Sequence, residues 1–219
     1  DFDKALKTTM LSSFANQGQI CLCGSRIFVE RPIYEKFRDA FVAKTKKLKV
    51  GNPSDADTNL GAIVSKAHLE KVLSYVQLGK EEGGTVLAGG NKVQLGSELS
   101  EGYFMEPTII EGLAFDCRVN QEEIFGPVVT IMPFDTEEEV VVMANSTEYG
   151  LAATVWTQDV SKATRLGASL ASGIVWVNCW LVRDLRTPFG GVKNSGVGRE
   201  GGFNALNFFT EQTNVCIKL

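Results

Sequence analysis

The run Val128-Val129-Thr130-Ile131-Met132 constrains the chain most. Five uncharged residues without alternation read as a strand buried inside a sheet, since a strand covered on both faces shows a near-continuous apolar run. Asp135 with Glu138 three residues later makes a capping-box-like start for a helix through Ala144. The same alternation recurs along the chain. Residues 3–14 predict a helix and Ser25 to Glu30 a strand. Pro32 opens the next element, and Ile33, Phe37 and Phe41, four apart, predict an amphipathic helix over 33–49. Residues 51–61 form a Gly/Asn/Asp/Pro-rich loop, Ser65 is a candidate N-cap, and Leu69, Val72, Leu73 and Val76 stripe a helix that Gly83-Gly84 ends.

Thr85 to Ala88 predicts a strand, 91–101 a polar loop, and Tyr103 to Ile110 an extended segment whose Pro107 favours a sheet edge. Ala152 to Trp156 and Ile174 to Val177 read as strands around a helix striped by Ala163, Leu166, Gly167 and Leu170. Strands alternating with helices imply an α/β domain with a largely parallel sheet. Past Asn178 the pattern gives way to a glycine-rich stretch over 187–202, a short helix over 204–209 and a terminal strand over 214–219.

With 219 residues, 44% of them hydrophobic, the chain is long enough to bury a proper core. Its 22 basic and 26 acidic residues give a net charge of −4 without a basic block, so neither nucleic acid nor an anionic membrane is an expected partner. Five cysteines without C-x-x-C spacing argue against a disulfide framework and for a reducing compartment. His68, the one histidine, has no cysteine or carboxylate at ligand spacing, so no metal is expected. No signal peptide or spanning run is present, and the expected location is the cytoplasm. The sequence opens at Asp1 in mid-pattern, which points to a fragment of a longer protein.

Cys21 lies in the small-residue loop Phe14-Ala15-Asn16-Gln17-Gly18-Gln19-Ile20-Cys21-Leu22-Cys23-Gly24-Ser25, between a predicted helix and a predicted strand. A thiol becomes a useful nucleophile where a loop leaves it accessible and N–H dipoles favour the thiolate, and Gly18 and Gly24 supply such backbone. A buried cysteine acting as a small hydrophobe would look the same by spacing alone. Gly196, Gly198 and Gly201 match G-x-G-x-x-G, but the match follows a loop and the chain ends eighteen residues later, leaving no room for a second parallel strand with a ribose-binding acid. These glycines are expected to let a wall of the site pack tightly.

The Cys21 loop, with an aromatic residue, Gly-Gln, any residue, Cys and then small residues, resembles the cysteine signature of the aldehyde dehydrogenase superfamily. Further motifs follow in the family's order: Gln121-Glu122-Glu123-Ile124-Phe125-Gly126-Pro127, Ala144-Asn145, Tyr149-Gly150-Leu151, Asn178, Pro188-Phe189-Gly190-Gly191, Lys193 and Ser195-Gly196. The resemblance covers essentially the whole chain. It implies a three-layer catalytic domain over residues 1–202, and a C-terminal helix and oligomerisation strand over 203–219. It further implies that Cys21 attacks the aldehyde, Glu123 hydrogen-bonds the nicotinamide ribose and Phe125 packs beside the nicotinamide. NAD is the expected cofactor, with NADP not decided by these residues, and a homo-oligomer, dimer or tetramer, is the expected assembly.

In the family, most of the dinucleotide fold, the water-activating glutamate and the oxyanion-hole asparagine lie upstream of the cysteine. The resemblance therefore implies a catalytic half that does not turn over alone. Trp176 to Phe189 and Asn214 to Leu219 look most like the 2-hydroxymuconic and 2-aminomuconic semialdehyde dehydrogenases, enzymes of aromatic catabolism. Arg183 is the expected clamp for a carboxylate-bearing aldehyde, with Arg186 the competing candidate and a surface ion pair with Asp184 or another acid the plainer reading of either. Phe189 resembles an aromatic wall of the substrate tunnel. Two alternatives stand beside this reading: another polar substrate such as betaine aldehyde, or an assembly module without catalysis.

Overall fold

In the computed structural model, which describes residues 1–219 apart from the side chain of Ser97, the Val128 run becomes β6 (Val128–Phe134) at the centre of a four-stranded sheet. β1 (Arg26–Glu30) pairs parallel with β6 on one side, and β5 (Thr108–Glu111) pairs parallel on the other. β2 (Thr85–Ala88) closes the far edge antiparallel to β5, and the two-residue strands β3 (Lys92–Val93) and β4 (Phe104–Met105) pair antiparallel with each other. Successive strand residues point to opposite faces, and this alternation makes three layers. Ile109, Val129 and Ile131 pack with Phe14, Phe37 and Phe41, which come from α1 (Phe2–Phe14) and α2 (Arg31–Thr45). Ile110 and Val128 pack the other way with Leu69, Val72, Val76 and Val119, from α3 (Lys66–Glu81) and α4 (Arg118–Gln121). The largely parallel α/β sheet expected from the alternation is thus present.

Thr130, the one polar residue of the run, is 2% exposed. Its hydroxyl donates to Asn120 Oδ1 at 2.6 Å, while Asn120 Nδ2 donates to the Ala114 carbonyl at 2.7 Å. That pairing offsets the cost of burying both side chains.

Three local expectations are corrected. Pro107 does not mark an edge, because β5 lies between β6 and β2 and the proline precedes its first residue, so the missing N–H falls outside the ladder. The cap of α5 (Glu137–Asn145) is Thr136, which accepts from the Glu139 N–H at 3.1 Å; Asp135 is drawn away by its ion pair with Arg31. Residues 214–219 form no strand here. A strand needs a ladder partner, none is available within the chain, and Val215, Ile217 and Leu219 stand exposed.

Beyond α5, β7 (Tyr149–Gly150), β8 (Ala152–Val155), α6 (Val160–Ser169) and β9 (Ile174–Val177) follow, with β8 and β9 parallel. The glycine-rich stretch returns as β10 (Val192–Lys193), antiparallel to β7, and leads into α7 (Gly202–Phe209). None of the residues of α7 is buried. Among the described residues no helix is long and apolar enough to cross a membrane.

The topology positions the site. β1 and β6 are parallel neighbours, so the segments entering them, Cys21 to Ser25 and Glu123 to Pro127, converge at one end of the sheet. This is the amino end of both strands, whereas ligands of open α/β sheets usually sit at the carboxyl ends.

Candidate active site

After α1 the backbone turns through three successive left-handed residues, Asn16 (φ +48°), Gln17 (φ +57°) and Gly18 (φ +68°). L-residues rarely adopt this conformation, and the surrounding packing holds it. The Gln19 N–H donates to the Asn16 carbonyl at 3.0 Å, and the Val64 N–H donates to Gln19 Oε1 at 3.1 Å. A methyl group on Gly18 would lie 2.2 Å from the Gly126 carbonyl oxygen. The cysteine loop and the Glu123 to Pro127 segment therefore touch backbone to backbone.

Cys21 occupies the tight turn closed by the Cys23 N–H donating to the Ile20 carbonyl at 2.9 Å, and it is exposed. Cys23 is the opposite case. Its thiol faces the Ala15 carbonyl at 3.8 Å, and burial pushes it up to about 11, a rise opposed by the Ile20 backbone hydrogen bond. A thiol held protonated is a poor nucleophile, and of this pair Cys21 is the exposed one.

Glu123 is exposed, and its carboxylate has no hydrogen bond or ion pair among the described residues; its carbonyl accepts from Lys71 Nζ at 2.8 Å. Phe125 takes a left-handed backbone, φ +60°, with its carbonyl accepting from His68 Nε2 at 2.7 Å. Neither backbone contact was foreseeable from sequence, because a side chain meeting a distant carbonyl leaves no pattern.

The segment after β9 reaches the same loop. Trp180 Nε1 donates to the Leu22 carbonyl, next to Cys21, at 2.9 Å. Farther on, the Arg183 guanidinium lies 3.9 Å from the Phe189 ring centroid and 3.5 Å from Glu200 Oε1. Arg186 is engaged with Asp184 through its Nε at 2.9 Å and its terminal nitrogen, an ion pair that draws the Asp184 carboxyl below its usual range. The plainer ion-pair reading thus holds for both arginines, Arg186 with Asp184 and Arg183 with Glu200, and Arg183 in addition stacks on Phe189.

Two of the three glycines of the G-x-G-x-x-G match pack tightly: a methyl on Gly198 would fall 2.0 Å from the Phe208 ring and one on Gly201 2.2 Å from the Thr187 carbonyl oxygen, whereas one on Gly196 would meet nothing nearer than 3.9 Å. Lys193 and Ser195 serve this packing: Lys193 Nζ donates to the Asn145 and Thr147 carbonyls at 2.7 and 2.8 Å, and Ser195 Oγ accepts from the Gly150 N–H at 2.9 Å. These positions fasten α5 and β7 to the wall.

A model of the aldehyde dehydrogenase family matches residues 1–215, and the chain belongs to that family. It is 53% identical over 220 residues to a 2-aminomuconic semialdehyde dehydrogenase of Mus musculus, covering all of this chain and 45% of the relative. To a 2-hydroxymuconic semialdehyde dehydrogenase of Pseudomonas sp. (strain CF600) it is 51% identical, with the same coverage. An NAD+ complex of an aldehyde dehydrogenase from Bacillus cereus superposes with a TM-score of 0.91 at 42% identity, over 96% of this chain and 42% of that one. The chain thus spans less than half the length of these relatives.

Proposed function

We propose that the chain is the catalytic portion of an NAD-dependent dehydrogenase that oxidises a carboxylate-bearing semialdehyde, of the 2-hydroxymuconic or 2-aminomuconic type, to the acid. The observation that carries this reading is the exposed Cys21 on a loop in backbone contact with the segment bearing Glu123 and Phe125. The Cys21 thiolate adds to the aldehyde carbon to give a thiohemiacetal, and the oxidised carbon leaves as the acid after hydrolysis of the Cys21 thioester. The residues here fit the nicotinamide end of a dinucleotide: Glu123 offers an unpartnered carboxylate that can accept from a ribose diol, and Phe125 an aromatic ring beside it. Bound there, the nicotinamide supplies the hydride acceptor. Arg183 pairs with the substrate's far carboxylate, and Phe189 supports the guanidinium from below.

Residues 203–219 are proposed to join a second copy, giving a dimer or tetramer, since α7 and the chain end expose Phe203, Phe209, Val215 and Ile217. Five free cysteines fit a reducing compartment, and the cytoplasm is the proposed location. The test is NADH formation by the intact protein with a muconic-type semialdehyde. Turnover that Cys21→Ala abolishes and Cys23→Ala retains supports the reading; turnover surviving Cys21→Ala overturns it.

A further inference from the structure

Two indole N–H groups frame the segment that carries Arg183. Trp176 of β9, 5% exposed, donates from Nε1 to the Val182 carbonyl at 2.8 Å. Trp180 donates from its own Nε1 to the Leu22 carbonyl at 2.9 Å. The first bond ends on the residue before Arg183, the second on the residue after Cys21. Between the two tryptophans and the arginine, Asn178 (φ +55°) and Leu181 (φ +60°) both take the left-handed backbone. For a bulky leucine that conformation persists only where the surroundings impose it. Asn178 contributes to this constraint, because its Oδ1 accepts from the Thr157 N–H at 3.0 Å and its Nδ2 donates to the Thr157 carbonyl at 2.7 Å.

The far end of Arg183 is fixed as well. Its guanidinium lies over the Phe189 ring, and Phe189 is tied to Glu200 by two backbone hydrogen bonds, 2.8 Å in each direction. Arg183 is therefore placed through both its main chain and its side chain, and Trp180 refers that placement to the cysteine turn. An indole N–H only donates, and the ring reaches its partner through two rotatable bonds, so each contact holds a length that a long flexible side chain would not. A molecule attached at both ends, with its aldehyde carbon at Cys21 and its carboxylate at Arg183, must span the distance so defined. A chain too short or too long gives up one of the two contacts.

We propose that Trp176 and Trp180 are positioning residues that together fix the separation between Cys21 and Arg183, and so select aldehydes by the length of chain between carbonyl and carboxylate. This rests on the reading that Arg183 pairs with the substrate's carboxylate. Neither indole N–H needs to touch the substrate, since each is engaged with a backbone carbonyl.

The experiment uses the intact protein and the variants Trp176→Phe, Trp180→Phe and Arg183→Ala. NADH formation is followed on a series of unbranched semialdehydes, succinic, glutaric, adipic and pimelic, and on the neutral alkanals of the same lengths. The wild type should show its lowest KM at one member of the acid series. Each phenylalanine variant keeps a ring and loses one hydrogen bond, so KM at that member should rise roughly 2- to 10-fold. KM at the neighbouring lengths should move less, which flattens the profile, and on the alkanals KM and kcat should stay within about twofold. Trp176 lies in the core, so if its variant does not fold, the half-buried Trp180 carries the test. A wild-type profile without a minimum overturns the proposal, as does an unchanged profile in every folded phenylalanine variant. Equal losses on acids and alkanals overturn it too, because the tryptophans would then serve the fold alone. Arg183→Ala separates the two readings: it should raise KM across the acids and erase the minimum, and if it keeps the wild-type profile, the carboxylate clamp itself fails.

Discussion

The Arg183 guanidinium lies over the Phe189 ring, 3.9 Å from its centroid, with five residues between them in the chain. Stacking holds a flexible cation in one place without neutralising it, and the long 3.5 Å contact to Glu200 leaves donors for a ligand carboxylate. Arg186, held by Asp184, has no such freedom.

Replacing Arg183 with Ala in the intact protein should therefore raise KM for a muconic-type semialdehyde by about 10- to 150-fold, the worth of a charged hydrogen bond at roughly 1.5–3 kcal/mol. Neutral aliphatic aldehydes should change little. Arg186→Ala should act weakly on both classes. Steady-state kinetics on one charged and one neutral aldehyde decide the matter, and selective loss in Arg186→Ala would move the clamp to that residue.

Alkylation should separate the two cysteines of the loop. At pH 8 iodoacetamide should modify Cys21 well before Cys23, whose thiol burial pushes up to about 11. Burial favours the neutral thiol, so the linked stabilisation is complete below the ordinary thiol value of ~8.5 and is lost as pH rises through about 11. Peptide mapping of the modified protein reads the order, and faster labelling at Cys23 would contradict it.

Two glycines with positive φ make a controlled pair. Gly83 has open space around a built methyl, so Gly83→Ala should cost only the left-handed strain of about 1–2 kcal/mol. At Gly18 the same methyl meets the Gly126 carbonyl at 2.2 Å, and a backbone clash adds to the strain, for a total above about 3 kcal/mol. Denaturant unfolding of both variants checks this. Equal costs would mean that the loop shifts freely.

Deleting residues 213–219 should reduce the size of the assembly in sedimentation velocity, because an exposed apolar end seeks a partner sheet. An unchanged distribution would assign self-association elsewhere.

Much of the fold could be read locally. The stripes at Phe37 and Phe41, or at Leu69, Val72 and Val76, declare their own helices, and the uncharged Val128 run declares a buried strand. What failed depended on pairing. Pro107 reads as an edge residue until β2 is known to lie beyond β5, and the end of the chain reads as a strand although nothing within the chain pairs with it. For the site, Cys21 and Glu123 came with the family's motifs, while His68 could be weighed only as a metal ligand, since its partner is a carbonyl 57 residues away.

The contact between Gly18 and Gly126 leaves no side chain between the cysteine loop and the Glu123 segment. Their separation is thus a property of main chain alone, beyond the reach of gradual side-chain change. The Trp180 to Phe189 stretch meets the cysteine loop through the Trp180 side chain, and Arg183 meets Phe189 through theirs, so these contacts can change residue by residue. Under the proposed function, descendants of this scaffold, natural or engineered, should therefore drift in the aldehydes they accept while inheriting one fixed spacing between Cys21 and the Glu123 segment.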